Sequence, residues 1–178
     1  MILLDADIAT LLFYGRNERV LARYKSALEN ERPALTIITR IEILRGRFEA
    51  VMKAASKEEW LQAQVHLHDT ERWVARIEIV HINATAADHF ERLRLNKKLK
   101  KIGRADLMTG CITLANDATL VTRNTKDFKL IPQVRELGRL IAQKDTPHVR
   151  HPLPVPRPHD VLLPVRHGHA KGRRGIAD

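Results

Sequence analysis

The sequence predicts an α/β fold in which helices cover a mainly parallel β-sheet. Two observations predict it: short apolar runs typical of strands recur along the chain, and helical patterns lie between them. Repeated alternation of strand and helix favours parallel strands with helical crossovers. Such sheets place their functional sites beyond the carboxyl ends of the strands.

Four strands are predicted. Residues 2–4 form a short apolar run that ends in an acid, and residues 35–38 are rich in β-branched side chains and follow Pro33. Residues 77–82 alternate between apolar and polar side chains, as a half-buried strand does. Residues 119–121 form the fourth strand.

Helices are predicted between and after these strands. Ser56 opens one of them, and Glu59 three residues later completes a capping box. The other predicted helices cover residues 6–13, 18–30, 39–52, 85–101, 105–116 and 133–143. No internal repeat is visible.

Composition limits the classes of function. The chain has 178 residues, and 31 Lys and Arg against 21 Asp and Glu give a net charge of +10, which favours a polyanionic partner such as nucleic acid. The single cysteine, Cys111, rules out an internal disulfide framework and a multi-cysteine zinc site. No apolar run is long enough to span a membrane, and Asp5 and Asp7 lie where a signal peptide needs a basic region. We therefore expect a soluble, cytoplasmic protein with no membrane partner.

Composition also changes along the chain. Residues 145–178 contain six of the eight prolines and carry a net charge of +3. Their apolar residues follow no helical or strand period, so we predict a basic, Pro- and His-rich disordered tail. The folded domain is predicted over residues 1–144.

Acidic or amide side chains follow the first, second and fourth predicted strands, and Asp106 lies at the start of the helix before the fourth. A parallel sheet brings such positions to one edge, where clustered carboxylates repel one another unless a cation neutralises them or some take up protons. Carboxylates without cysteine or clustered histidine suit hard cations such as Mg²⁺ or Mn²⁺. In a basic protein this pattern favours metal-assisted cleavage of a phosphodiester. The residues concerned are Asp5, Asp7, Glu42, Asp106, Asn124 and Asp127.

Each of these residues also has a purely structural interpretation. Asp5 or Asp7 is typical of a helix N-cap, and Thr39 with Glu42 matches a capping box. Asp106 suits the first turn of a helix, and Asn124 and Asp127 are common in turns. Independent caps do not explain why the strand ends share this feature.

Four segments along the chain form a recognisable set: residues 3–7 (LLDAD), 36–46 (TIITRIEILRG), 105–115 (ADLMTGCITLA) and 120–128 (LVTRNTKDF). Together they resemble the PIN domain, and within it the VapC-like toxins of bacterial toxin–antitoxin pairs. The resemblance covers about residues 1–131 and preserves the order and spacing of all four segments.

The resemblance implies a three-layer α/β/α sandwich and a Mg²⁺- or Mn²⁺-dependent ribonuclease. Asp5, Glu42 and Asp106 match the family's first three acids, with Asp5 and Asp106 as metal ligands. Asn124 stands where the family often has a fourth acid, and Asp127 is a candidate substitute for it. The resemblance also implies an RNA substrate, a homodimer and a cognate antitoxin.

Further residues bear on this resemblance. Thr122 matches a small hydroxyl residue near the metal, whereas relatives frequently have Asn at the position of Asp7. The apolar residues 11–14 fit an antitoxin groove and ordinary core packing equally well. The tail has no counterpart in the family pattern.

A strongly basic segment precedes the third acid. It is either a solvated helix face or a surface that binds RNA. Aromatic residues, which stack on bases, make up only 4% of the chain, so an RNA-binding surface here would contact the backbone. Its candidate RNA-binding residues are Arg94, Lys97, Lys98, Lys100, Lys101 and Arg104.

Two other functions remain open. A non-catalytic RNA-binding or interaction module keeps the fold without cleavage, and Asn124 is the residue that favours it. A haloacid-dehalogenase-like phosphatase also begins with two acids spaced like Asp5 and Asp7. That pattern needs Thr or Val where this chain has Ala9, and we find no downstream pair of acids.

Overall fold

The computed structural model describes residues 1–15 and 33–136. Within these ranges a sheet of five strands has the order β3-β2-β1-β4-β5, and every neighbouring pair is parallel. The strands are β1 (Ile2–Leu4), β2 (Pro33–Thr36), β3 (Glu78–Val80), β4 (Thr119–Val121) and β5 (Arg135–Glu136). The parallel α/β architecture predicted from the sequence is confirmed.

Helices cover both faces of the sheet. They are α1 (Ala6–Tyr14), α2 (Ile37–Lys53), α3 (Lys57–Val74), α4 (Ala84–Leu93), α5 (Arg104–Ala115) and α6 (Thr125–Phe128), with a 3₁₀ turn at Lys97–Leu99. Side chains alternate along β1, so Leu3 packs into one apolar cluster with α4, α5 and α6. Ile2 and Leu4 pack into a second cluster with α1, α2 and α3. The predicted three-layer sandwich is therefore confirmed.

The centre of the sheet is also its switch point. Leu3 of β1 is in register with Ala34 of β2 on one side and with Leu120 of β4 on the other. The chain thus adds β2 and β3 in one direction and later adds β4 and β5 in the other. In open parallel sheets the crevice for ligands forms at this point, outside the carboxyl ends of the strands.

The second predicted strand is two residues too long at its end. Residues 37 and 38 are β-branched, but helix α2 begins at Ile37 because Thr36 acts as its N-cap. The Thr36 hydroxyl accepts the Thr39 backbone N–H at 3.0 Å. The predicted capping box of Thr39 with Glu42 is therefore wrong, and Glu42 lies in the second turn of α2.

The predicted helix over residues 85–101 is interrupted. Helix α4 ends at Leu93, and Asn96 caps the following 3₁₀ turn by accepting the Lys98 N–H at 3.0 Å. This break lets both Leu93 and Leu99 reach the core. The basic side chains are consequently presented from a bent segment.

The remaining predictions are settled in part. The predicted N-cap at Ser56 is confirmed, because its hydroxyl accepts the Glu59 N–H at 3.1 Å. The Glu59 carboxylate accepts the N–H of Ala55, one residue before the N-cap, at 2.8 Å, so the capping box is shifted by one residue from the predicted one. The third strand is shorter than predicted, and residues 135–136 form β5 where a helix was predicted. The predicted helix at 18–30, the rest of the helix predicted at 133–143, and the tail lie outside the described residues. No helix in residues 1–15 and 33–136 is both long and apolar enough to cross a membrane.

Candidate active site

Asp5 lies at the carboxyl end of the central strand. Its backbone N–H extends the ladder to Val121 at 3.0 Å, and its side chain caps α1. One carboxylate oxygen accepts the Ala6 N–H at 2.8 Å, and the other accepts the Thr122 hydroxyl at 2.6 Å. The same carboxylate therefore serves the helix and faces the switch point of the sheet.

Thr122 connects the ends of β1 and β4. Its side chain is fully buried, donates to Asp5 and accepts the Asn124 backbone N–H at 2.9 Å. Because the hydroxyl uses both its donor and an acceptor, its orientation is fixed. Thr122 thereby fixes the loop after β4 relative to the Asp5 carboxylate.

Asn124 connects two further acids. Its side-chain amide donates to Asp106 at 3.2 Å and to Asp127 at 3.1 Å. Asn124 precedes α6 but makes no capping bond with its side chain. Asp106 lies in the first turn of α5, after Gly103, where a Cβ would lie only 3.3 Å from the Asp106 carboxylate.

The acids influence one another electrostatically. Burial is the main cause that raises the pKa of Asp5, against the hydrogen bonds from Thr122 and Ala6. Burial also raises the pKa of Asp106, and the charges of Asp5, Asp127 and Asp7 raise it further. These shifts express the cost of holding several carboxylates at one edge of the sheet.

Glu42 belongs to the same acidic edge. Burial raises the pKa of its carboxyl group, followed by the charges of Asp5, Asp106 and Asp7, and Arg45 opposes the shift. Asp7 itself is exposed and contributes charge from the first turn of α1. The structure thus places the acids predicted from the sequence at one edge of the sheet.

The donor chemistry of this edge suits a hard divalent cation. The acidic groups offer only oxygen ligands, and their mutual repulsion falls when a cation lies between them. No three acidic, histidine or cysteine side chains in the described ranges converge closely enough to form a complete cage. Mg²⁺ commonly binds through one or two carboxylates, waters and a substrate phosphate, so an open arrangement with Asp5 and Asp106 as ligands fits it.

The predicted RNA-binding residues lie on the bent segment between α4 and α5 and at its ends. All six are exposed: Arg94, Lys97, Lys98, Lys100, Lys101 and Arg104. Arg94 is paired with Glu91 through a 2.8 Å hydrogen bond. Arg104 lies over the ring of Phe90, a residue that the sequence analysis did not single out. The two are 14 positions apart, and no local pattern signals such a contact.

The aromatic residues of α1 pack against α3, and the single cysteine is buried. Phe13 packs against Tyr14 and against Trp73 of α3, with ring centroids 5.2 and 4.9 Å apart. Cys111 is buried, and its burial raises the pKa of the thiol to about 11, as expected for a packed and unreactive side chain. Trp60, in contrast, is exposed on α3.

An open parallel sheet with acids at its switch point, in a strongly basic chain, fits an α/β/α domain of the nuclease class. Residues 2–133 match the PIN domain family, and the chain belongs to that family.

Individual relatives agree with this assignment. Ribonuclease VapC1 of Haemophilus influenzae (strain R2866) is 26% identical over 135 residues, which cover 75% of this chain and 93% of the relative. The tRNA(fMet)-specific endonuclease VapC of Salmonella typhimurium is 25% identical over 131 residues, 72% of this chain and 92% of the relative. A solved structure of VapBC2 from Rickettsia felis, bound to a promoter DNA fragment, aligns with a TM-score of 0.61 and 26% identity. That alignment covers 77% of this chain and 98% of the other.

Proposed function

We propose that this protein is a divalent-metal-dependent endoribonuclease and the toxin of a toxin–antitoxin pair. One observation carries the proposal: hydrogen bonds through Thr122 and Asn124 link Asp5, Asp106 and Asp127 at the switch point of the sheet. Membership in the PIN family and relatives named as ribonucleases support the same activity.

Each residue at the edge has a defined task in hydrolysis of an RNA phosphodiester. Asp5 and Asp106 would hold the cation, for which we propose Mg²⁺ or Mn²⁺. When bound, the cation lowers the pKa of water and stabilises the negative charge on the phosphate. Glu42, whose pKa is raised, is suited to accept a proton from the attacking water. Asn124, whose amide also donates to Asp127, holds the Asp106 carboxylate in place.

The proposed role implies protein partners as well as RNA. The solved relative from Rickettsia felis is a VapBC complex, and we propose an antitoxin and a homodimer for this chain. Exposed apolar side chains on α2 and α3 offer surfaces for such partners; they are Ile41, Phe48, Met52, Trp60, Leu61 and Val65. Action on cellular RNA requires a cytoplasmic protein.

A non-catalytic RNA-binding module is the second candidate. The observation that favours it is Asn124, whose amide satisfies Asp106 and Asp127 by hydrogen bonds where the family often has an acid. Membership in the PIN family leaves the phosphatase hypothesis without support.

Cleavage of RNA by the purified, antitoxin-free protein tests the proposal. Total cellular RNA and a transfer RNA fraction are incubated with Mg²⁺, with Mn²⁺ and with EDTA, using wild type, Asp5→Asn and Asp106→Asn. Asp69→Asn, which removes an equal charge from α3, is the matched control. We expect metal-dependent cleavage by wild type and Asp69→Asn and none by the two site variants.

Two results contradict the proposal in different ways. Full activity of Asp5→Asn refutes the assigned site. No cleavage by well-folded wild type in either metal refutes the nuclease and favours the RNA-binding module.

A further inference from the structure

Arg104 has a fixed position at the start of the helix that carries Asp106. It is the first residue of α5, and its guanidinium carbon lies 5.0 Å from the centroid of the Phe90 ring. Phe90 is half-buried and packs against the apolar core cluster, so the core holds its ring in place beneath the guanidinium. A cation over an aromatic face at this distance is attracted by the ring quadrupole.

Within residues 1–15 and 33–136, no acid pairs directly with the charge of Arg104. Among the described residues its guanidinium makes no ion pair, whereas Arg94 pairs with Glu91 and Arg45 pairs with Glu49. Arg104 is also exposed. Since an arginine does not lose its proton, its donors remain available to an anion even though Phe90 covers one face.

The spacing between Arg104 and Asp106 sets the geometry. Both lie in the first turn of α5, so their Cα atoms are about 5.4 Å apart and their side chains leave the helix in nearly opposite directions. Arg104 therefore lies beside the acidic edge and not within it. An RNA strand with one phosphate at the acids can present another phosphate of the same strand to Arg104.

We propose that Arg104 binds an RNA phosphate flanking the cleaved bond, and that Phe90 is the positioning residue that holds its guanidinium. The RNA substrate rests on the function proposed above. The neighbouring lysines are exposed, flexible point charges that attract RNA from any direction. Arg104 differs from them because its planar, supported guanidinium offers paired donors to one phosphate in a fixed place.

RNA binding in EDTA tests this role without hydrolysis. The affinity of the full chain for a fluorescent single-stranded RNA oligonucleotide is measured over a series of salt concentrations. Arg104→Ala should bind about tenfold more weakly at low salt, since a hydrogen-bonded charge is removed. Its slope of log affinity against log salt should fall by about 0.7 to 1, the loss of one phosphate contact. Arg76→Ala, which removes an equal charge just before β3 and thus at the opposite edge of the sheet, should leave the slope unchanged.

Phe90 variants separate positioning from folding. Phe90→Leu keeps an apolar side chain but removes the ring, and should weaken binding severalfold while the salt slope stays that of wild type, because the charge remains. Phe90→Tyr keeps the ring and should restore the affinity. In the cleavage assay with Mg²⁺, Arg104→Ala should raise KM and leave kcat nearly unchanged, as expected when binding to substrate and transition state is lost equally.

Each outcome either supports or overturns the inference. An Arg104→Ala protein that binds like Arg76→Ala, or a wild-type protein that does not bind RNA in EDTA, overturns it. Wild-type affinity in Phe90→Leu, or equal losses in Phe90→Leu and Phe90→Tyr, overturns the positioning role. If RNA binding depends on Arg104 but no RNA is cleaved, the role of Arg104 is supported and the nuclease proposal fails. If RNA is cleaved but neither binding nor KM depends on Arg104, the nuclease proposal is supported and the role of Arg104 fails.

Discussion

Replacing Asn124 with Asp directly probes the electrostatics of the acidic edge. The Asn124 amide nitrogen lies 3.2 Å from the Asp106 carboxylate and 3.1 Å from that of Asp127. Asn124→Asp exchanges this donor for an oxygen that shares a negative charge, with almost no change in shape. Two attractive contacts thereby become repulsive.

The cost of Asn124→Asp follows from these distances. Two unit charges at about 4 Å repel by about 1 kcal/mol in water and by about 4 kcal/mol at an effective dielectric constant near 20. The three side chains are partly exposed, so each pair lies between these limits. Protonation sets a ceiling: at pH 7 an acid with an ordinary pKa near 3.9 takes up a proton for about 4 kcal/mol. We therefore expect the free energy of unfolding in EDTA to fall by about 2–4 kcal/mol.

Urea denaturation at pH 7 and pH 4 measures this cost. At pH 4, close to the ordinary pKa of a carboxyl group, the cluster carries less negative charge than at pH 7, so the difference from wild type should shrink. Mg²⁺ should stabilise Asn124→Asp more than wild type, because the added carboxylate strengthens cation binding. The matched control is Asn83→Asp, which makes the same exchange at the N-cap of α4 and should be close to neutral, since Asp and Asn cap equally well.

The prediction is refuted if Asn124→Asp and wild type are equally stable in EDTA at pH 7 and respond equally to Mg²⁺. That result means that the three carboxylates do not share one edge. The same variant also distinguishes the two candidate functions. If wild type binds RNA without cleaving it and Asn124→Asp cleaves, Asn124 is the cause of the missing activity.

Two further predictions concern the hydrogen bond from Thr122 to Asp5 and the pH dependence of stability. Thr122→Val removes the hydroxyl between Asp5 and the Asn124 N–H, and should lower RNA cleavage or Mg²⁺ affinity about 10- to 100-fold. The control Thr113→Val deletes an equally buried hydroxyl within α5 and should leave cleavage and Mg²⁺ affinity unchanged. Equal losses in the two variants argue against a specific role for Thr122. The second prediction concerns pH. Burial and neighbouring acids raise the pKa of Asp5 and Asp106 above 3.8, so the folded protein in EDTA binds protons more readily than the unfolded chain. The stability that these two acids contribute below about pH 4 is therefore lost as the pH rises through their raised pKa values. The urea midpoint of Asp5→Asn should therefore rise relative to that of wild type between pH 4 and pH 7. Parallel pH profiles of the two proteins contradict this prediction.

The fold could be predicted from the sequence where local pattern and tertiary packing agree. The strands at residues 2–4 and 119–121 are mostly apolar, are followed by the polar residues Asp5 and Thr122, and lie at the centre of the sheet. The prediction fails at Ile37 and Ile38, because β-branched side chains favour a strand only weakly and the Thr36 cap starts a helix there. A helix forms in spite of β propensity when a cap satisfies the backbone N–H groups and packing buries the side chains.

The acidic edge could be predicted in part for the same reason. Position after a strand, or at the start of the helix that precedes one, is visible in the sequence, and it indicates Asp5, Glu42 and Asp106 as neighbours. The contacts that orient them are not visible, because Thr122 is 117 residues from Asp5 and Phe90 is 14 residues from Arg104. A hydrogen bond or stacking contact between distant residues has no periodic signature.

Asp5 shows that the structural and functional interpretations of a strand-end acid need not compete. One oxygen of its carboxylate caps α1, and the other is held by Thr122 at the switch point. Because Asn is as good an N-cap as Asp, Asp5→Asn removes the charge and keeps the cap, whereas Asp5→Ala removes both. A loss of activity in Asp5→Ala alone therefore mixes a destabilised helix with a damaged site. Only a protein that stays folded as Asp5→Asn and yet no longer cleaves RNA assigns the carboxylate its chemical role.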